Sequence, residues 1–320
     1  MKKLGILVPV VTPCNRKGAV DEDGLRAVCS DVLSAGCQSI FVAGSTGRGP
    51  WFSRDDRSRI CRAAADLVGP DTILFGGCMG SGLTDMLENA QAMADSGARI
   101  AVVTAPGYFN YSQAEVEVVF RQFADRSPLP VMIYDIPVFA GMKLDLGVAS
   151  RLATHENVIG FKDSSADLDR FRELARMLGH ASRFYLLQGK EHLLADSLRA
   201  GASGFVVSLV QIDPRPFVAL YRAVEAGDQQ QADATQSRIS DLLALVDGAF
   251  QRRPETSTLF HLQNQALRMR GVCENILLEH EGECPGWLEE AAQRALQIMQ
   301  AAAEIGETRT GGGAGGEHAA

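Results

Sequence analysis

The sequence predicts an α/β protein: a (β/α)8 TIM barrel with a C-terminal helical appendage. Three observations lead there. Eight short apolar runs rich in Val and Ile recur along the first two thirds of the 320 residues. Each run is followed by a segment with helical spacing of its apolar residues. Within each run hydrophobicity is nearly continuous rather than alternating, as expected of strands covered on both faces in a parallel sheet. Eight strand–helix units in the first 225 residues suit a closed barrel, which typically needs roughly 250 residues. A doubly wound open sheet is the competitor. Its dinucleotide site would show GxGxxG after the first strand, where this chain has "VTPCNRKGAV".

In order, the strand runs are "ILVPVVTP", "SIFVAG", "TILFGG", "IAVVTAP", "LPVMIYDIP", "VIGFKDS", "FYLLQG" and "GFVVSL". The first could be mistaken for a signal peptide after two lysines, but Pro9 and Pro13 break it, and it reads as a strand. Between the first and second runs, Leu25, Val28, Cys29, Val32 and Leu33 share a helix face, and Gly36 provides the stop. Ser53 and Ser112 are expected N-caps, with Asp56 and Glu115 three residues on. Beyond Gly227, three helical segments follow without strands between them, and the Gly-rich end lacks any apolar stripe. The expected organisation is a catalytic barrel over 1–225, a helical region over 226–306 and a disordered tail over 307–320.

Composition narrows the function. A formal charge of -8 without a basic stripe argues against nucleic acid, and no stretch approaches the roughly 18 apolar residues of a membrane span. Seven scattered cysteines without CxxC pairing suit reduced thiols, hence a cytoplasmic setting. The six histidines show no HxH or HExxH spacing, so no metal is expected.

In a barrel, catalytic groups come from the C-terminal strand ends. Only Lys162, of six lysines, closes an apolar run. Desolvation there would lower its pKa and make it a nucleophile toward ketones; the bland alternative is an ion pair with Asp163 or a neighbouring strand's acid that holds the barrel together. Tyr134, at the end of the fifth run, is either a proton relay or a buried phenol bonded to backbone. The turn "GSTG" after the second run is either a carboxylate cradle of backbone N–H groups or a connector. Tyr108 is open in the same way.

Taken together, "GSTG", "YDIP" and "GFKDSS" with their spacing resemble the dihydrodipicolinate synthase and N-acetylneuraminate lyase family, the class I pyruvate-dependent aldolases. The resemblance spans about residues 4 to 225, with a weaker echo in the C-terminal helices. It implies that Lys162 is the Schiff-base lysine, Tyr134 the proton relay, and Ser45 and Thr46 the hydroxyl pair that binds the substrate carboxylate, Thr46 taking part in catalysis as well. Ser164, from the lysine motif, joins the substrate-binding set. It implies that Tyr108 reaches a neighbouring subunit's site in a homo-oligomer, a dimer of dimers. The implied chemistry is a covalent imine between Lys162 and pyruvate or another small 2-oxo acid, with no cofactor.

The departures bear on the substrate. Phe139 stands where the synthases carry arginine, and an aromatic ring cannot grip a carboxylate bidentately, so dihydrodipicolinate synthesis is disfavoured. Gly189, Glu191 and Ser208 partly match the sugar-acid lyases, although His192 departs from their pattern. Arg48 either binds a distal carboxylate or pairs with Asp55 or Asp56 on the surface. Asp135, in place of the usual asparagine, either perturbs Tyr134 or faces away. The leading expectation is a lyase cleaving a hydroxylated, sugar-derived 2-oxo acid to pyruvate and an aldehyde. The alternatives are a dehydratase or decarboxylating dehydratase of a deoxy-sugar acid, and a non-catalytic barrel that binds a 2-oxo acid.

Overall fold

The structure, a computed structural model, describes residues 3–15, 17–178, 183–274 and 284–307. Eight parallel strands close into a barrel in sequence order: β1 (Gly5–Pro9), β2 (Ser39–Val42), β3 (Ile73–Gly77), β4 (Ile100–Val103), β5 (Val131–Asp135), β6 (Val158–Asp163), β7 (Tyr185–Gln188) and β8 (Gly204–Phe205). Seven strands lie within their apolar runs, and β1 begins one residue before its run, at Gly5.

The double coverage inferred from those runs is present. Leu7, Phe41, Phe75, Val102, Met132 and Leu187 fill the barrel interior. Their strand neighbours Ile6, Val8, Ile40, Val42 and Leu74 face the surrounding helices. Adjacent residues of a strand point to opposite faces, so a strand buried on both sides must be apolar throughout. Burying each of these side chains contributes roughly 1.5–3 kcal/mol.

The helices are α1 (Glu22–Ser34), α2 (Arg54–Ala65), α3 (Leu83–Asp95), α4 (Gln113–Arg126), α5 (Pro137–Ala140), α6 (Leu146–Leu152), α7 (Leu168–Leu178), α8 (Leu194–Arg199), α9 (Arg215–Glu225), α10 (Gln229–Arg252), α11 (Thr256–Met269) and α12 (Gly286–Glu307). On α1, Leu25, Val28, Cys29 and Val32 are buried, while Leu33 is only half-buried at the edge of that face. Just past the end of α1, Gly36 has φ +102°, a conformation that glycine adopts without steric cost. Ser53 caps α2 by accepting from the Asp56 N–H. At α4, Ser112 and Glu115 form a full capping box.

The C-terminal helices pack on the barrel helices and reach over the mouth, so "appendage" understates them. Leu242, Val246, Leu262, Leu288 and Met299 belong to the same apolar cluster as the layer outside the strands. Residues 308–320, within the expected disordered tail, lie outside the described residues. Among those described, no helix is long and apolar enough to cross a membrane, and no cluster of His, Cys, Asp and Glu could hold a metal. The thiols of Cys29, Cys37, Cys61 and Cys78 are pushed up to about 12 by burial.

Candidate active site

At the C-terminal end of the barrel the β5–β6 register sets Tyr134 beside Lys162. Lys162 is buried, with Nζ 3.6 Å from the centroid of the Tyr134 ring and 5.6 Å from that of Phe41. Desolvation lowers its pKa to about 7, against the attraction of Glu191 and with help from the Lys190 charge. A large share of the amine is therefore neutral near neutral pH. Asp163, the structural partner considered for Lys162, is buried elsewhere: its carboxylate accepts from Ser165 N at 2.8 Å and lies 3.9 Å from Arg170.

Burial raises the pKa of the Tyr134 phenol, and hydrogen bonds with the Ser164 and Ser45 hydroxyls only partly offset this. The phenol thus stays protonated at the head of a short hydroxyl chain. Thr46 is buried next to Ser45. Their turn is pinned from below, since Thr12 Oγ1 donates to Gly47 O at 2.7 Å and the Arg48 guanidinium donates to Thr12 O. Across the mouth Glu191 is buried, accepting from Ser208 Oγ at 3.3 Å and Leu209 N at 3.4 Å. Gly189 is a spacer: a Cβ there would lie 2.0 Å from Ser164 Oγ.

These groups line the inner end of one cavity of about 810 Å³. Ser45, Thr46, Tyr134, Lys162, Ser164 and Glu191 all face it, as do Arg48, Phe139, Gly189 and Ser208. Tyr108 does not line the cavity and is 79% exposed, edge-on to Phe109 with ring centroids 4.9 Å apart. The chain by itself does not bring Tyr108 to Lys162. His192 is exposed and outside the cavity.

Two open readings are decided. Arg48 is 3% exposed, so it is no surface partner of Asp55 or Asp56; its guanidinium lies 5.7 Å from the centroid of the Phe260 ring. Asp135 faces away from the cavity, yet it also perturbs Tyr134, its charge adding to the rise in the phenol's pKa. It accepts from Arg170 Nη2 on α7 at 2.7 Å and from Leu144 N at 3.3 Å. Burial still lifts its pKa to about 6, against the pull of Arg170 and with repulsion from Asp163 adding to the rise.

Sequence reasoning missed the outer wall of the cavity. Trp51 comes from the short 3-10 turn Gly49–Trp51, Leu243 and Phe250 from α10, and Leu259 and Phe260 from α11. The cavity-facing positions 243, 246, 247 and 250 of α10 follow the i, i+3, i+4, i+7 spacing of one helix face. That stripe was legible, but not the surface it would meet.

A closed parallel barrel with a buried lysine at its mouth and a tyrosine on the adjoining strand defines a lyase of the class I aldolase type. Residues 2–277 match the dihydrodipicolinate synthetase family, and the chain belongs to that family. It is 33% identical over 265 residues to a 4-hydroxy-tetrahydrodipicolinate synthase of Corynebacterium aurimucosum, covering 83% of this chain and 84% of that protein. Among solved structures, YagE, a prophage protein of the dihydrodipicolinic acid synthase family from E. coli K12 in complex with pyruvate, superposes with TM-score 0.84 at 25% identity, covering 93% of this chain and 98% of that one. CdNal from Clostridium difficile, in complex with mannosamine, superposes with TM-score 0.83 at 19% identity over 93% and 99%; at that identity it speaks to the fold.

Proposed function

We propose that this chain cleaves a hydroxylated 2-oxo acid to pyruvate and an aldehyde through an imine on Lys162. The observation that carries this is the buried Lys162 amine, shifted to about 7 and set 3.6 Å from the Tyr134 ring. The neutral amine adds to the ketone carbon, and, with one proton taken up from solvent, water leaves, giving a protonated imine. The substrate hydroxyl loses its proton as the neighbouring carbon–carbon bond breaks, and that bond's electrons pass into the imine to give an enamine and a free aldehyde. The proton moves through Tyr134, which accepts it from the substrate while its own passes along a neighbouring hydroxyl, Ser45 or Ser164, to solvent. Protonation of the enamine carbon and addition of water then release pyruvate and restore the amine.

In this reading the Ser45–Thr46 turn takes the 2-oxo acid carboxylate, and Glu191 with Ser208 holds a substrate hydroxyl. A sugar-derived chain is one way to supply that hydroxyl. The relatives' name supports a second reading, condensation of pyruvate with aspartate semialdehyde. Phe139 speaks against it, since this cavity-lining ring is 56% exposed and offers no bidentate grip. Tyr108, on the exposed loop after β4, is proposed to serve a neighbouring subunit in a dimer of dimers. The setting is proposed to be cytoplasmic.

Borohydride trapping with pyruvate, followed by peptide mass mapping, tests the central step. The expected label is on Lys162, with a trapping rate that rises with pH through about 7 and levels off above, because only the neutral amine adds. A label on another lysine, or none, refutes the imine and leaves the non-catalytic binding barrel. In turnover assays, a product that has lost water but kept every carbon assigns the dehydratase reaction. One that has lost both water and carbon dioxide assigns the decarboxylating one, and efficient use of aspartate semialdehyde assigns the synthase.

A further inference from the structure

The catalytic cavity changes character along its depth. Its inner end is lined with hydroxyls, the amine and Glu191. Its outer half is walled by Trp51, Phe139, Leu243, Phe250, Leu259 and Phe260. Trp51 meets Phe260 edge-on, with centroids 5.8 Å apart and planes at 78°, so the two rings present a corner rather than a flat wall. Trp51 is nonetheless 46% exposed, a large apolar side chain on the rim of the cavity. Exposed apolar surface continuous with a site marks a place a ligand covers.

Among the described residues Glu191 and Ser208 are the polar pair beside the amine, while Arg48, Arg57, Asp85 and Lys190 also line the cavity. Glu191 and Ser208 are bonded to each other and stand close enough to Lys162 for Glu191 to act on its charge. That suits one hydroxyl near the reacting carbon. Farther out, Asp247 and Thr256 are exposed at the edge. Further hydroxyls lying against Trp51, Phe250 and Phe260 would lose water and gain no partner from the rings themselves, and a charged group beside them is the Arg48 guanidinium, 5.7 Å from the Phe260 centroid. An aromatic ring there would bury its faces and edges against rings of matching kind. A pyruvate unit alone is far smaller than 810 Å³ and leaves this half empty.

We propose that the aldehyde half of the substrate ends in an aromatic group seated between Trp51, Phe250 and Phe260, with only the hydroxyl next to the cleaved bond read by Glu191 and Ser208. The proposal rests on the lyase reading and narrows it. No additional reactant is involved: the bond broken is the one already described, and the second product is an aromatic aldehyde.

The test compares cleavage of two aldol adducts, of pyruvate with benzaldehyde and of pyruvate with glyceraldehyde, by kcat/KM. The wild-type protein is expected to prefer the benzaldehyde adduct. Trp51→Ala and Phe250→Ala should each lower the ratio of the two kcat/KM values roughly tenfold or more, the scale on which apolar pockets discriminate. Phe250→Leu, which keeps an apolar filler, should lower it less and serves if the alanine variant does not fold. A wild-type preference for the glyceraldehyde adduct, or equal losses for both adducts in the variants, overturns the proposal. Borohydride labelling of wild-type Lys162 by pyruvate separates the two failures. With labelling present and no aromatic preference, only the aromatic subsite falls; with labelling absent, the lyase reading falls too.

Discussion

On β5 and β6 the pair Tyr134 and Lys162 points into the barrel, and the next pair, Asp135 and Asp163, points out toward α7. Both pairs are deeply buried, and burial is the leading cause of every pKa shift among the four. What differs is the company each charge keeps. Outside the barrel, Arg170 approaches both carboxylates, at 2.7 Å and 3.9 Å. Inside, Lys162 has aromatic faces close by, and Glu191 raises its pKa by less than burial lowers it. One residue step along a ladder thus separates an ionic clasp between strands and α7 from a buried amine held among aromatic faces, the one proposed to react.

The comparison breaks most visibly at Lys162. Lys162→Arg keeps a cation but cannot form an imine, and it is expected to lose activity as fully as Lys162→Ala, by about 10⁴-fold or more, as removal of a reacting group does. An active arginine variant would show that charge, not nucleophilicity, is what the inner pair supplies. The next largest effect lies outside. Arg170→Leu leaves two adjacent carboxylates buried without their cation, and denaturant unfolding should show a loss of about 3–5 kcal/mol. Its pH dependence has a definite sign. The paired acids bind a proton more tightly folded than unfolded, so part of the loss should be recovered as pH falls from 7 toward about 5. An equal deficit at both pH values would mean that Arg170 acts by packing. The smallest effect is expected from Asp135→Asn, at about 1–2 kcal/mol, because Asp163 remains near Arg170 while one charged hydrogen bond weakens. A loss as large as that of Arg170→Leu would make Asp135 the sole anchor.

Much of this was legible in the sequence, for physical reasons. Strands buried on both faces must be apolar throughout, so all eight runs stood out, and a lysine or tyrosine closing such a run is conspicuous. Ser53 and Ser112 could be placed because a cap bonds within its own turn. The direction of Asp135 was left open because alternation does not say which face is the interior until the barrel closes. Arg170 gave no signal, being one arginine of many in a helix's first turn. The outer wall was hidden for a related reason: an amphipathic helix has the same sequence pattern whether its apolar stripe meets a core or a cavity. So Phe250 and Phe260 gave no signal of their own, and no site residue was expected in the C-terminal helices.

The assembly of one cavity from two parts of the chain has an evolutionary consequence. The groups proposed to react sit at strand ends where a change of residue disturbs neighbouring strands, whereas the α10 positions 243, 247 and 250 lie on a helix held by others, among them Ile239, Leu242, Val246 and Ala249. Leu243, Asp247 and Phe250 are not fully buried, and such positions tolerate exchange at little cost in stability. A lineage descended from this protein can therefore change what it recognises through a handful of substitutions in α10 and α11 while inheriting the barrel unaltered.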